Sequence, residues 1–547
     1  MNNARRTPKR LLTKTVASYV AERGIEEGPS LEDFLDPRLN ALTSPEKMND
    51  RLTIARRLAQ AIREKTKIVV FGDYDCDGMT ATAILCDAIE ALGGTAHAIL
   101  ASRFDGGYGV SKRALTKIQA AEPGLVVTCD CGSSDHATLG VLTEQGIDVI
   151  VIDHHLVPDT PLPVFAFLNP HRPECAFPYK GMASCGLVFS VVAALRKELG
   201  VSLDLRQWLD LVAIGTVADV APLTQDNRAL VRAGLQTLRN SERAGIRALV
   251  NIVGLDRDYP FVASDIGFRI APRLNAPGRM QDPDLAFQLL RERDPSRAEA
   301  LAEEVEQLCK TRRVIQAKIE EEAETEIREL NLAEAPALVI GREGWNHGIV
   351  GIVAGRLAEK YKRPALVVGF ENGVGRGSVR GPAGFPLYDA LCACEGHLER
   401  FGGHQAAAGM EIKAENLAAF RAAYELACDE RKNFEPPLVL PPLDLQPEDD
   451  LSDVLADLYL LEPCGEQNPA PSLAINCRVR GSREVRGGHL KLDLELANGR
   501  RVGGFGPNLG GKAKELAGEA RVVGQLRPDR YRGGDAVELL VTQVDCH

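Results

Sequence analysis

The sequence predicts an α/β protein made of a parallel-sheet domain, a long connecting helix, a smaller α/β domain and a C-terminal β-barrel. Three observations predict this arrangement. Short β-branched runs alternate with helix-like stretches between about residues 50 and 225, helical spacing persists after Asp294, and strands separated by glycine turns follow Pro471. A chain of 547 residues is also too long for one hydrophobic core.

Composition excludes several classes of protein. No apolar run approaches the ~20 residues that span a bilayer, and the basic start MNNARRTPKRLLTK lacks the apolar core of a secretory signal. The 13 cysteines contain no C-x-x-C pair, which is typical of reduced thiols. We therefore expect a cytoplasmic protein without a membrane partner.

Acidic residues follow buried apolar runs at several places in the first domain. Four such runs are interpreted as strands of one parallel sheet: Lys67–Phe71 before Asp73, Asp75 and Asp77; Leu125–Cys129 before Asp130; Val149–Ile152 before Asp153, His154 and His155; and Leu209–Val217 before Asp219. Ligands of such sheets bind at the carboxyl ends of the strands. We therefore expect these side chains to converge.

Converging carboxylates strongly disfavour joint ionisation unless a cation neutralises them. If the loop after Phe71 stays extended, Asp73, Asp75 and Asp77 point the same way. Carboxylates with one imidazole from His154 favour Mn²⁺, or Mg²⁺ with added waters, over tetrahedral zinc. Three cysteines beside these ligands are expected to be core residues and not ligands: Cys76, Cys129 and Cys131.

Two such ions would clamp the attacking and leaving oxygens of a phosphodiester. His155, beside the ligand His154, is then placed to touch the scissile phosphate. The alternative, that these acids are solvated loop residues or helix caps, fits any single Asp better than it fits the whole ordered set. The residues alone therefore predict metal-assisted phosphodiester hydrolysis.

The rest of the chain divides by composition. Asp294 and Pro295 start a helix with apolar residues at helical spacing, and the segment PPLVLPP marks a linker. We predict an N-terminal arm with a helical lead-in (1–49), a catalytic domain (50–293), a connecting helix (294–332), a second α/β domain (333–433), a linker with a short helix (434–467) and a barrel (468–547). The net charge of the chain is −11, yet residues 471–547 carry 13 Lys and Arg against 9 Asp and Glu. A basic barrel of this size favours a nucleic-acid-binding OB-fold.

The motifs, in this order, resemble the DHH phosphoesterase superfamily and, within it, the RecJ family of single-strand-specific exonucleases. The supporting segments are VFGDYDCDGMTATAIL, SRFDGGYGVS, VIVIDHHL, LVAIGTVADVAPL, APRLNAPGRM, GWNHGIVGIVAGRLAEKY and LEPCGEQNPAP. The segment GGHQAAAG resembles the substrate-binding DHHA1 domain of that superfamily. The resemblance covers about residues 50 to 547.

The resemblance implies roles for individual residues. Metal-site positions fall on Asp73, Asp75, Asp77, Asp130, His154 and Asp219, and the catalytic set is His155 with Asp130, Asp75 and Asp77. A pocket for a terminal 5′-phosphate falls on Arg103, Arg279, Ser378 and Arg380, and substrate contacts fall on Gly402, Gly403 and His404. His347 would line the strand's path, and Trp345 would either line it or pack in the core. Many relatives have histidine where this chain has Phe71, so aspartates and water would complete the first metal.

The implied activity is a 5′-to-3′ exonuclease that releases 5′-mononucleotides from single-stranded DNA with two Mn²⁺ or Mg²⁺ ions, in DNA repair and recombination. Implied partners are single-stranded DNA, single-strand-binding protein and a RecQ-type helicase, and a monomer is expected. Phe505 and Tyr531 are the aromatic candidates for base stacking in the barrel. Two alternatives stay open: a small-substrate phosphodiesterase acting on oligoribonucleotides or cyclic dinucleotides, and a non-catalytic DNA-binding replication scaffold.

Overall fold

A computed structural model describes residues 11–404, 407–436, 440–530 and 532–546. The first domain is built on five parallel strands in the order β2-β1-β3-β4-β5. The strands are β1 Lys67–Gly72, β2 Thr95–Leu100, β3 Leu125–Cys129, β4 Asp148–Ile152 and β5 Ala166–Leu168. The apolar residues of β1, β3 and β4 are buried because helices cover both faces of the sheet, which confirms three of the predicted strands.

Helices occur before, between and after these strands. They are α1 Lys14–Glu22, α2 Pro29–Leu35, α3 Arg51–Arg63, α4 Cys76–Ala91, α5 Lys112–Ala120, α6 His136–Glu144, α7 Ser184–Leu199, α8 Leu209–Ala218, α9 Gln225–Arg239, α10 Ala244–Ile252, α11 Ala263–Asp265, α12 Ala271–Met280 and α13 Asp284–Arg291. All of them except α1 and α2 complete the domain. Among the residues that the structure describes, no helix is both long and apolar enough to cross a membrane.

The fourth predicted strand is wrong. Leu209–Ala218 forms helix α8, which packs against α4, α7 and α9 and buries residues on all its sides. A helix that is apolar all round has the same composition as a buried strand, so periodicity does not separate the two. Asp219 therefore approaches the site from the end of a helix instead of the end of a strand.

The predicted connecting helix is confirmed as α14 Pro295–Glu329, a helix of 35 residues and about 50 Å. The Asp294 side chain caps it by accepting a hydrogen bond from the Arg297 N–H at 2.8 Å.

Helix α14 leads into the second domain, which is built on a mixed sheet in the order β6-β7-β8-β10-β9. The elements of this second domain are β6 Leu338–Glu343, α15 Val350–Tyr361, β7 Ala365–Glu371, β8 Val374–Arg380, α16 Leu387–Cys392, β9 Arg400–His404, β10 Ala407–Lys413 and α17 Leu417–Asp429.

The predicted C-terminal barrel is present. Its elements are β11 Leu443–Asp444, α18 Leu451–Leu458, β12 Leu473–Val485, β13 His489–Leu496, β14 Arg501–Gly506, β15 Gly518–Pro528 and β16 Val537–Cys546. Strand β12 pairs with both β13 and β15, which closes five long strands into a barrel. Helix α1 packs into this barrel's core through Val16, Tyr19 and Val20. The first helix of the described chain is therefore part of the C-terminal domain.

Candidate active site

The loop between β1 and α4 holds three of the predicted ligands. Asp75 caps α4, accepting hydrogen bonds from the backbone N–H groups of Asp77 at 3.0 Å and Gly78 at 3.1 Å. The helix therefore starts at Cys76, and Asp77 lies in its first turn. The expectation of an extended loop through Asp77 is wrong, because capping turns the chain two residues earlier.

Two glycines make this tight turn possible. A Cβ atom on Gly78 would lie 2.6 Å from the backbone oxygen of Asp73, and one on Gly72 would lie 1.9 Å from Thr82 Oγ1. Both distances are too short for any side chain, so only glycine lets the acidic loop fold back against α4.

The turn places the ligand atoms in two main groups. Asp73, Asp75 and Asp130 form one, and Asp77, His154 and Asp219 form the other, each with ligand atoms within 4.8 Å of one another. A third set, Asp130, His154 and His155, meets the same distance and overlaps both groups. The groups adjoin where Asp130 Oδ1 lies 3.3 Å from His154 Nε2. Because Asp130 lies between them, its carboxylate could contribute to both groups.

Local structure places each of the more distant ligands. Asp130 follows β3 with a left-handed φ of 64°, and its carboxylate accepts a hydrogen bond from Ser184 Oγ at 3.0 Å. Asp77 accepts the backbone N–H groups of Ser184 at 2.7 Å and Cys185 at 2.9 Å, at the start of α7. His154 follows β4, and Asp219 follows α8. These contacts hold the carboxylates in place before any ion binds.

The donor set fits divalent cations. Asp73 Oδ1 and His154 Nε2 are buried without a hydrogen-bond partner among the described residues, although both face other ligand atoms. Burial raises the pKa of Asp73, Asp77 and Asp130, and neighbouring carboxylates raise that of Asp130 further. The described ligand groups contain no cysteine, and Cys76, Cys129 and Cys131 are fully buried. The oxygen-rich set suits Mn²⁺ or Mg²⁺.

Metal-free protein should lose stability as pH rises. Burial and the charges of Asp77 and Asp75 raise the pKa of Asp219 from 3.8 to about 9. A carboxyl with a raised folded-state pKa contributes stability below its unfolded pKa and loses it as pH rises through the folded pKa. We expect the thermal midpoint in EDTA to fall between pH 5 and pH 9, and to fall less in Asp219→Asn.

Added Mn²⁺ should reverse this loss, since a ligand at 100 times its Kd adds about 2.7 kcal/mol to the stability of the fold. Calorimetric scans across pH, with and without Mn²⁺, measure both effects. A wild-type midpoint with the same pH dependence as Asp219→Asn, and no response to Mn²⁺, would contradict the metal centre.

His155 lies beside the two main ligand groups and shares the overlapping set with Asp130 and His154. Its Nδ1 lies 2.7 Å from Asp153 Oδ1 and 2.9 Å from the Tyr108 hydroxyl. Burial opposes the charged imidazole, but the hydrogen bond and charge of Asp153 outweigh it and raise the pKa of His155 to about 9. The ring is therefore a cation at neutral pH, and Asp153 fixes its orientation.

Arginines from both domains line the adjoining pocket. The Arg103 guanidinium lies 4.1 Å from the centre of the Tyr74 ring, Arg279 Nη1 donates to the Gly348 oxygen at 3.1 Å, and Arg380 Nη1 donates to Ser378 Oγ at 2.8 Å. Burial, and then the charge of Arg103, lower the pKa of Arg279. None of these three arginines has a carboxylate within 4.0 Å in the described part of the chain. The structure therefore brings together the predicted phosphate-binding residues.

A cleft of about 720 Å³ separates the two domains beside this pocket. Gly402, Gly403 and His347 line it as predicted, whereas the side chain of His404 lies outside the described residues. Trp345 is 5% exposed and donates to Glu322, so it packs in the core instead of lining the cleft. Sequence reasoning missed Tyr108, although the glycine-rich segment SRFDGGYGVS that carries it was a usable signal.

A second cleft of about 1410 Å³ lies between the barrel and the first domain. Phe505 lines it, 5.6 Å from the Arg527 guanidinium, and Phe268 of the first domain is 81% exposed beside it. Tyr531, the other predicted stacking residue, lies outside the described residues. Basic and acidic residues line this cleft in nearly equal numbers, and its two phenylalanine rings offer a surface on which unpaired bases can stack.

The fold and the clustered ligands define a phosphoesterase of the DHH type, and comparison with known families agrees. The model described as "DHH family, N-terminal domain" matches residues 67–216, the DHHA1 domain matches 334–430, and the RecJ OB domain matches 443–543. The single-stranded-DNA-specific exonuclease RecJ of Escherichia coli is 32% identical over 89% of both chains. The chain belongs to the RecJ family of single-stranded-DNA-specific exonucleases.

Other relatives agree in sequence and structure. RecJ of Bacillus subtilis is 35% identical over 89% of this chain, which spans 62% of that protein's length. The crystal structure of Thermus thermophilus RecJ in complex with Mn²⁺ superposes with a TM-score of 0.81 at 32% identity, covering 98% of this chain and 76% of that one. A structure of exonuclease RecJ bound to manganese has a TM-score of 0.60 at 35% identity, covering 71% of this chain and 96% of that one.

Proposed function

We propose that the protein degrades single-stranded DNA from the 5′ end and releases 5′-mononucleotides in DNA repair and recombination. The observation that carries this proposal is the pair of ligand groups joined between Asp130 and His154. Support comes from relatives named single-stranded-DNA-specific exonucleases and from RecJ structures solved with Mn²⁺ and with Mg²⁺. Two ions of either kind are the cofactors.

Each group of side chains has a distinct task. Asp73, Asp75, Asp77, Asp130, His154 and Asp219 hold the ions, which when bound supply a hydroxide nucleophile and withdraw charge from phosphorus. Protonated His155 donates a hydrogen bond to the scissile phosphate and stabilises its developing charge. Arg103, Arg279, Ser378 and Arg380 hold the terminal phosphate, which fixes the 5′ polarity.

The remaining parts guide the strand. The cleft lined by Gly402 and Gly403 admits the 5′ end, with His404 as a further contact, and the barrel cleft binds downstream bases through Phe505. Single-strand-binding protein and a RecQ-type helicase are proposed partners of a monomeric enzyme. The proposed boundaries of the domains and connecting segments are 1–49, 50–293, 294–332, 333–433, 434–467 and 468–547.

Digestion of a 5′-labelled single strand with Mn²⁺ tests the proposal. We expect labelled mononucleotide as the first product, no attack on a blunt duplex, and no turnover in EDTA. Turnover of dinucleotides alone would support the small-substrate phosphodiesterase, and strand binding without turnover would support the scaffold. The closed barrel and the complete ligand set are the features that favour the exonuclease over both.

A further inference from the structure

The connecting helix α14 packs against α12, which carries Arg279, and against α15, whose first turn faces Ser378 and Arg380. It runs beside α15, where Arg356 pairs with Glu320 at 2.9 Å and Lys360 pairs with Glu324 one turn further on. The same register places residue 314 level with Val350, where α15 begins, and Gly348 lies two residues before that start. The Gly348 oxygen is the group that accepts the hydrogen bond from Arg279.

The packing of α14 against α12 points to the same place. Cys309 Sγ lies 3.8 Å from the Pro272 oxygen, and Met280 packs in the cluster that contains Ile319, so the two helices run in the same direction. Buried residues on this face of α14 occur at 309, 312 and 316, three and four residues apart. Arg312 therefore faces the end of α12, where Arg279 lies.

Arg312 carries a buried charge without a counter-ion. It is 8% exposed, its Nη1 donates to Gln316 Oε1 at 2.7 Å, and its Nε is buried without a partner. The described residues place no carboxylate within 4.0 Å of it. A buried guanidinium in this state is costly unless an anion completes it.

The pocket has further features that attract an anion. A Cβ on Gly351, in the first turn of α15, would lie 2.9 Å from Ser378 Oγ and 3.5 Å from Arg380 Nη2. The absence of that Cβ brings the positive end of the α15 dipole against the arginines. After burial, the charges of Arg103, Arg312 and Arg380 are the causes that lower the pKa of Arg279, so the four guanidinium groups share one field.

We propose that Arg312 is a fourth phosphate-binding cation of this pocket, supplied by the connecting helix. The inference rests on the proposed function, because it takes the ligand to be the terminal phosphate of the substrate strand. A terminal phosphate monoester carries −1.5 to −2 charge near neutral pH, whereas an internal diester carries one charge. Four guanidinium groups with no carboxylate among them attract the more highly charged monoester more strongly than the diester. Arg312 therefore contributes to the selection of 5′-phosphorylated ends.

The test compares Arg312→Met with Arg313→Met in the full chain. Arg313 is exposed on the same helix, so its replacement removes the same charge without entering the pocket. Titration calorimetry with inorganic phosphate, with and without Mg²⁺, should show about ten-fold or weaker binding in Arg312→Met and little change in Arg313→Met. Arg312→Lys should recover part of the affinity, since it restores the charge without the fork.

Hydrolysis supplies the second readout. For a 5′-phosphorylated strand, Arg312→Met should raise KM about ten-fold, while a 5′-hydroxyl strand should be cleaved at nearly the wild-type rate. The thermal midpoint without phosphate should hold or rise, because a repulsive charge has been removed.

Unchanged phosphate affinity in both Arg312→Met and Arg312→Lys would overturn the assignment and leave Arg312 as a helix-packing residue. So would an equal loss of cleavage rate on the 5′-phosphorylated and the 5′-hydroxyl strand. If Arg312→Met does not fold, phosphate affinity in Arg312→Lys decides in the same way. Wild-type protein that cleaves neither strand would instead contradict the proposed function, because phosphate binding is measured without turnover.

Discussion

Asp130→Asn should lower kcat on a 5′-labelled single strand by at least about 10³-fold, since metal ions contribute several kcal/mol of transition-state stabilisation. Asp130 Oδ1 lies where the two ligand groups adjoin, 3.3 Å from His154 Nε2. An amide of the same shape keeps the hydrogen bond to Ser184 but removes the charge that holds both ions together. Initial rates at saturating Mn²⁺ measure the effect.

Strand binding should survive this change, because the barrel and the arginine pocket lie outside the ligand groups. Fluorescence anisotropy with a labelled oligonucleotide measures the Kd. Asp159→Asn, an exposed carboxylate in the loop after the histidines, is the matched control and should leave kcat unchanged. Asp130→Asn with wild-type turnover would remove Asp130 from the metal centre.

His155→Gln should lower kcat by about 10² to 10³-fold with little change in KM, as expected for the loss of one preorganised donor to developing charge. The imidazole is oriented by Asp153 and stays protonated near neutral pH. Because its Nδ1 is engaged by Asp153 and both main ligand groups keep all their side chains, Mn²⁺ affinity should fall only slightly. Single-turnover rates and Mn²⁺ calorimetry separate these two effects.

The control is His136→Gln, since His136 is a half-buried residue of the same domain whose ring nitrogens lie within hydrogen-bond distance of the Ser134 and Thr160 backbone oxygens. A fall in Mn²⁺ affinity as large as the fall in kcat would make His155 a metal ligand instead of a phosphate contact. An unchanged kcat would exclude it from catalysis altogether.

Much of the candidate metal centre was predictable because its residues follow buried apolar runs, three of which are strands and one a helix. Asp73, Asp130 and His154 lie at the ends of β1, β3 and β4, and the pleated runs before them are buried on both faces. Asp219 was found by its position after an apolar run, although that run is helix α8. The prediction of Asp219 as a ligand holds although its element was assigned wrongly, because helix α8 ends at the same cluster as the strands.

Other features depend on contacts between distant parts of the chain. Arg312 is one more charge on a charged helix, and only the packing of α12 and α15 against α14 shows that it is buried. Tyr19 of α1 donates to the Pro469 oxygen at 2.6 Å, a contact across 450 residues. Local periodicity carries no information about such partners.

Anomalous scattering at the manganese edge, from crystals soaked in Mn²⁺, tests the central claim most directly. We expect two peaks about 3.5–4 Å apart, one beside Asp73 and Asp75 and one beside Asp77 and Asp219, with Asp130 between them. No peak at these carboxylates, with nucleotide present, would contradict it.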